Sequence, residues 1–273
     1  MKKEDPATSF AAAVKALLTT DSFGRELIYL PETTSTNQIA AEYAERGHAE
    51  GMVIAAGSQT EGRGRFQRVW YSPPDDNLYF SLILRPSKPP SVIPQLSLMA
   101  GIAVARAIQS VTPGLPVGTK WPNDVLIGER KVCGILCELR TDADIIRHVI
   151  LGAGVNVNIE QGGFPPELEK TATSLKIAAG RSVPRPRLLA TILAEMEWMY
   201  DQWRNLGFDS LLDEWRKVSI LGGRRVTVVT MNQRIRGSVD GLAPSGALLL
   251  RGDDGGIQEI HSGDVHLEDW KDS

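Results

Sequence analysis

At Leu221-Gly222-Gly223 the chain changes its grammar, and no single sheet accommodates what lies on both sides. Upstream, segments of helical period alternate with apolar strands. Downstream come only short alternating runs, RRVTVVT, IRGSVDG, ALLLRG, IQEIHS and DVHLE, parted by turn residues roughly every 8 to 12 positions, the pattern of a small β-barrel. The expected organisation is a short N-terminal helical segment over residues 1–25, an α+β domain over 26–221 and a small C-terminal barrel over 222–273. With 273 residues, 42% of them hydrophobic, the chain can bury the cores this requires.

The upstream half resolves into elements. Residues 11–18 form a short helical pattern that would pack on the main body. Ser35, Thr36 and Asn37 precede an alanine-rich helix closed by Gly47, and Ser35 with Gln38 has the spacing of a capping box. GMVIAAGSQ and NLYFSLILRP read as strands on either side of EGRGRFQRVW. Leu96, Met99, Ala103 and Ala107 recur at helical spacing between Pro94 and Val111. Three more strands are expected in VGTKWPNDVLI, KVCGILCEL and HVILGAGVNVNI. The turn GERK joins the first two as a hairpin, which makes the sheet at least partly antiparallel. A long amphipathic helix follows over about Arg187 to Leu206, with Leu189, Ile192, Met196, Met199 and Trp203 as a core stripe.

Several function classes are disfavoured. A formal net charge of -3 gives the whole protein no electrostatic reason to coat nucleic acid or an anionic membrane. No apolar run approaches the roughly 20 residues of a membrane span, and MKKEDPATSF turns polar where a secretory signal would become apolar, so a cytoplasmic protein is expected. Cys133 and Cys137 lie on one face of their segment, roughly 13 Å apart if it is a strand, too far for a disulfide. They read as free thiols. GxxxxGK[ST], CxxC and HExxH are absent, and His48, His148, His261 and His266 are scattered. RGDDGG, residues 251–256, lacks the closing glutamate of a calcium loop and reads as a hairpin turn.

Four stretches carry chemistry. In EGRGRFQRVW, Arg63, Arg65 and Arg68 offer planar forks for carboxylate and phosphate oxygens. Gly62 and Gly64 give that loop mobility, and Trp70 supplies a flat face or an anchor. A solvated basic loop is the alternative. In TKWPND, Pro122 favours a turn that presents Asn123 and Asp124 at a strand end, although a plain Asx-rich turn has the same signature. Lys131 opens an apolar strand, where its ammonium would act strongly on a nearby anion or merely guard a strand edge. In GAGVNVN, Gly152 and Gly154 allow close backbone approach, and Asn156 alternates with valines and needs a partner, which a neighbouring strand could supply. Together they describe a pocket in which an acid is joined to a phosphate.

Taken in order, STNQ, GRGRxxRxW, SPPDDNLYFS, KWPND, RKVCGIL and GAGVNVN closely resemble the biotin protein ligases, over about residues 30 to 270. The resemblance implies a mixed, largely antiparallel sheet flanked by helices, like the class II aminoacyl-tRNA synthetases, with an SH3-like C-terminal barrel. It implies ATP-dependent formation of biotinyl-AMP and transfer of biotin to a lysine of a biotin carboxyl carrier protein domain, as in acetyl-CoA carboxylase. Ser35, Thr36, Asn37 and Gln59 would hold the ureido ring. Gly62, Arg63, Gly64 and Arg65 would close over biotin and the α-phosphate. Lys131, with Arg65, would be catalytic. Arg65, Arg68, Trp70, Asn123, Asp124, Lys131 and Asn156 would serve ATP, with Mg²⁺ carried mainly by the polyphosphate. The residues before Ser35 are too few for the DNA-binding domain of many bacterial members, so no DNA partner or repressor activity is expected. Homodimerisation is left open.

Phe66 and Gln67 stand where many members of that family carry another basic residue and a glycine, and Asp75 replaces a common glycine. Two alternatives remain: a lipoate or octanoate ligase or transferase of the same fold, and a non-catalytic biotin-binding module.

Overall fold

The computed structural model describes residues 6–143 and 145–268. The outermost parts of the expected N-terminal segment and barrel, residues 1–5 and 269–273, lie outside them. A seven-stranded sheet runs in the order β1-β2-β3-β7-β6-β5-β4, with β1 Leu27–Thr33, β2 Val53–Gln59, β3 Leu78–Leu84, β4 Val117–Lys120, β5 Asp124–Ile127, β6 Arg130–Asp142 and β7 Ile145–Val155. Only β1 and β2 pair in parallel; every other pair is antiparallel. The sheet is thus mixed and largely antiparallel.

Two kinds of cover explain why the central strands read as unbroken apolar runs. On one face, α1 Pro6–Lys15, α3 Pro94–Val111, α5 Arg185–Leu206 and α6 Asp209–Val218 bury Phe80, Leu82, Leu151, Ala153 and Val155 in the main core. On the other face, α2 Thr36–Glu45 packs Ala40 and Ala44 on Ile54, Ile83 and Ile150. The helix α2 covers only part of that second face. The expected stripe of α5, Leu189 to Trp203, is fully buried. A short helix, α4 Leu175–Ala179, capped by the Ser174 hydroxyl, follows β7.

Several expectations need correction. VGTKWPNDVLI is not one strand but two, β4 and β5, folded back on each other around Trp121-Pro122-Asn123. The strand β1 and the helix α6 were not anticipated. Ser35 starts α2 with extended backbone, yet its side chain makes no capping bond. Gln59 Oε1 accepts the Thr36 N–H instead (2.9 Å), so the cap comes from β2. Contrary to the reading of run lengths, Pro90–Val111 is long and apolar enough to cross a membrane; 72% of its most apolar window is buried inside the fold, as a core helix.

The second sheet has the order β11-β10-β9-β8-β12, from β8 Arg225–Val229, β9 Arg234–Leu242, β10 Leu248–Arg251, β11 Ile257–Ile260 and β12 Asp264–Leu267, all antiparallel and consistent with an SH3-like barrel. Its inward residues Val226, Val228, Leu248 and Val265 are continuous with the main core. The Trp121 indole N–H donates to Gly246 O (3.1 Å) and Gln95 Nε2 to Pro244 O (2.9 Å), which fixes the barrel on the end of α3 and the β4-β5 turn.

Glu197 of α5 fastens the segment before β1 by accepting from the N–H groups of Asp21, Ser22 and Phe23 and from the Ser22 hydroxyl. Burial alone would raise its pKa, but these four donors outweigh it and hold the carboxyl below its ordinary value of 4.5. A lowered folded-state pKa stabilises in full above the unfolded value, and that contribution disappears as pH falls through the folded value. Urea denaturation of Glu197→Gln should therefore show its full deficit against the parent near neutral pH and a shrinking one below about pH 4.

Candidate active site

Three glycines leave part of the sheet bare. On the face that α2 covers farther along, β6 and β7 present Gly134, Gly152 and Gly154, with Gly134 paired to Gly154 and Leu136 to Gly152. A Cβ at 154 would stand 2.4 Å from Trp70 Nε1, one at 134 would stand 2.8 Å from Trp70 Cζ3, and one at 152 would stand 2.0 Å from Asn37 Oδ1. Only glycine admits these neighbours. Above this floor lies a cavity of about 410 Å³, walled by the arginine loop, the start of α2, the turn before β5 and residues 164–172.

Lys131 reaches the cavity through a backbone irregularity. Strict alternation along β6 from Cys133, which faces the core, would send Val132 to the cavity and Lys131 away from it. The β5-β6 register instead shifts, pairing Val125 with Cys133 and Leu126 with Lys131, so Val132 is the extra residue. Val132 is fully buried in the core and Lys131 lines the cavity. A bulge has re-aimed the side chain. The displaced backbone finds new partners: Lys131 N donates to Thr171 O, Thr173 N to Lys131 O, and Asn156 N to Val132 O, each at 2.8 to 2.9 Å. Lys131 Nζ lies 2.6 Å from Asp124 Oδ1 and 5.3 Å from the Trp70 ring centroid. The Asp124 contact is ionic rather than directed, since that oxygen is buried without a hydrogen bond of good geometry.

At the other end is a neutral polar cluster. Thr36, Asn37 and Gln59 are joined with Ser81 of β3: Ser81 Oγ lies 2.8 Å from Thr36 Oγ1 and 2.6 Å from Asn37 Oδ1. Asn37 Nδ2 donates to Glu138 Oε2 at 2.6 Å. The cluster stands over Gly152, Trp70 over Gly154 and Asn156 follows β7, so the cavity spans about 13 Å of strand.

The loop, expected to be mobile, forms its own hairpin. Arg63 bridges Val69, Gly64 N donates to Arg68 O (2.7 Å) and Trp70 N to Gly62 O (2.9 Å). Its tip carries Phe66 and Gln67 at φ of 55° and 59°, and Asp75 has φ 58°. Two of these three, Gln67 and Asp75, are positions where the resemblance leads one to expect glycine, and left-handed backbone is a conformation glycine adopts without steric cost. Arg65 Nη1 donates to Asn123 Oδ1 (3.3 Å) and stacks on Phe66, 4.8 Å from its centroid. Burial lowers the Arg65 pKa, opposed by the Asp264 and Asp124 carboxylates. Arg68 pairs with Asp264 of β12 at 2.5 Å.

Ser35, Thr36, Asn37, Gln59, Arg63, Gly64, Arg65, Arg68, Trp70, Asn123, Asp124, Lys131 and Asn156 all line the cavity. Gly62 does not; it is buried behind the loop, where a Cβ would meet Ser72 Oγ and Trp70 O at 2.6 Å. Lys120, Glu129, Phe164 and Asp264 line the cavity without having been anticipated, and Ser81 and Glu138 stand behind it. Ser81 lay inside a recognised motif; Asp264 is 196 residues from Arg68 and had no sequence signal. Cys133 and Cys137 are free, with burial raising both thiols, Cys137 to about 11.

The cavity thus has a cationic rim facing a neutral hydrogen-bonding end, on a largely antiparallel sheet with an appended barrel. The model of the Biotin/lipoate A/B protein ligase family matches residues 29–156, and that of the biotin protein ligase C terminal domain matches 221–267. The bifunctional ligase/repressor BirA of Bacillus subtilis is 38% identical over 250 residues, covering 92% of this chain and 76% of the relative. The biotin--[acetyl-CoA-carboxylase] ligase of Mycobacterium tuberculosis is 34% identical, covering 75% and 74%. Aquifex aeolicus biotin protein ligase, solved with biotin and ATP, superposes with a TM-score of 0.77 at 32% identity, over 89% of this chain and 99% of that one. This chain belongs to the biotin protein ligase family.

The glycine floor is testable without any ligand. Gly152→Ala places a methyl group against an Asn37 amide already tied to Ser81 and Glu138, and should cost about 1–3 kcal/mol in urea denaturation.

Proposed function

We propose that the chain joins biotin to ATP as biotinyl-AMP and passes the biotinyl group to a lysine of a biotin carboxyl carrier domain. One observation carries the residue assignments: the bulge at Val132 delivers Lys131 to the end of the glycine floor opposite the neutral cluster of Thr36, Asn37 and Gln59. A cyclic urea is neutral and both donates and accepts hydrogen bonds, which suits that cluster. The valeryl chain would lie along the glycines, and the carboxylate would reach Lys131.

In the first step a biotin carboxylate oxygen attacks the α-phosphorus of ATP, and pyrophosphate leaves with the electron pair of the broken P–O bond. Lys131 and Arg65 offset the repulsion between carboxylate and phosphate, then the charge that develops on the α-phosphoryl oxygens. Asp124 holds the Lys131 ammonium at the rim until the anion arrives. Arg68, Trp70, Asn123 and Asn156 serve the nucleotide. In the second step the neutral acceptor amine attacks the acyl carbon, AMP departs with the electrons of the anhydride bond, and the amine releases a proton. The amide forms without a covalent enzyme intermediate.

Among the described residues no cluster of three or more His, Cys, Asp or Glu side chains is placed to hold a metal ion. Mg²⁺ would arrive on the polyphosphate as part of the ATP substrate.

Lipoate has the same kind of aliphatic acid tail but presents no urea, so the polar cluster favours biotin. Incubation with ATP and each acid, read by mass spectrometry, should yield biotinyl-AMP; lipoyl-AMP alone would sink the reading. Lys131→Ala should retain the fold and lose about a hundredfold or more in adenylation and in transfer of labelled biotin to a carrier domain. An undiminished rate would remove Lys131 from the mechanism.

A further inference from the structure

Behind the neutral end of the cavity, a line of hydrogen bonds runs from Glu138 through Asn37 and Ser81 to Thr36, and the assignment that satisfies its shortest contacts fixes where the hydrogens lie. Asn37 Nδ2 faces Glu138 Oε2 at 2.6 Å and Leu136 O at 3.4 Å. An ionised carboxylate and a carbonyl only accept, so the amide group of Asn37 must present its NH₂ there and its oxygen to Ser81. Ser81 has one hydroxyl hydrogen. It must go to Asn37 Oδ1, because two lone pairs would otherwise meet across 2.6 Å. The 2.8 Å contact between Ser81 Oγ and Thr36 Oγ1 then needs a hydrogen from Thr36. Thr36 has none left for a ligand.

We infer that Glu138 is a positioning residue that sets the polarity of this relay, so that the Thr36 hydroxyl meets the ligand as an acceptor and selects an acid whose head group offers an N–H. This rests on the biotin ligase reading and deepens it. Three features support the relay as a built device. Ser81 is fully buried, and Thr36 and Asn37 are 4% and 6% exposed, so their side chains are held by protein partners. Gly152 is the only residue that leaves Asn37 room to lie flat against the sheet, its absent Cβ falling 2.0 Å from Asn37 Oδ1. The Thr36 hydroxyl also lies 3.2 Å from Gln59 Oε1, a longer contact than either one made by Ser81 Oγ, and Gln59 Oε1 keeps the Thr36 N–H at 2.9 Å when the hydroxyl hydrogen goes to Ser81. Glu138 lies at the outer, exposed end of this line, and the acceptor it creates lies at the inner end.

Glu138→Gln tests this, because a carboxamide can donate as well as accept and no longer dictates the orientation of Asn37. Calorimetric titration with biotin, without ATP, should show about tenfold weaker binding, and the KM for biotin should rise equally, while the KM for ATP, kcat at saturation and the melting temperature stay at parent values. Ser81→Ala should have the same effect, and the double variant should be no worse than either single one, since both break one line. Parent-like biotin affinity in Glu138→Gln, a joint loss of biotin and ATP affinity, or additive losses would overturn the relay. A parent protein that binds no biotin would overturn the ligase reading itself, whereas one that binds biotin no better than Glu138→Gln overturns the relay alone. Should Ser81→Ala fail to fold, Glu138→Gln still decides.

Discussion

A sheet face without side chains is the constraint on which the rest of this structure depends. An antiparallel sheet of this size normally buries both faces or wets one, and here the second face is divided between α2 and a cavity. Gly134, Gly152 and Gly154 make the division. They let Trp70 and Asn37 lie directly on backbone, closer than any Cβ would tolerate. The same bare strands would bend or slip if nothing held them, but Cys133, Leu151, Ala153 and Val155 on the opposite face are locked in the main core. One side of β6 and β7 carries stability and the other carries chemistry.

The bulge at Val132 applies the same economy to a single residue. A charged side chain at a strand start is costly to bury, and an apolar one is wasted on a polar cavity. By inserting one residue, the chain sends Val132 inward and Lys131 outward from adjacent positions, and the segment 171–173 satisfies the backbone that β5 releases. Lys131 is consequently held by two backbone bonds and by Asp124, which keeps its ammonium from wandering into solvent.

How much of this was readable from the residues depended on how local each signal was. The helix over Pro94–Val111 and the barrel strands announced themselves by period, because their burial pattern repeats within a few residues. The strand β1 escaped because Pro31 and Glu32 interrupt LIYLPET, and an edge strand tolerates both. The helix α6 was readable, since Leu211, Trp215 and Val218 recur at helical spacing, but with ten residues it offers few repeats of that spacing. At the site, the residues within recognised motifs were accessible, whereas the capping of α2 by Gln59 and the pairing of Arg68 with Asp264 join positions 23 and 196 residues apart. Such contacts belong to topology and leave no local mark. The direction in which Lys131 points was equally hidden, because it turns on a register shift that alternation by itself would have forecast the other way.

The ion pair between Arg68 and Asp264, together with the approach of Arg65 Nη2 to Ser262 Oγ at 3.5 Å, means that the loop over the cavity is answerable to a sheet encoded some two hundred residues later. Loop and barrel are therefore joined in the fold in spite of their separation along the chain. A chimera that imports either without the other would pair an arginine with a foreign surface, and recombination breakpoints that respect the domain seam near Gly222 would still cut through this partnership.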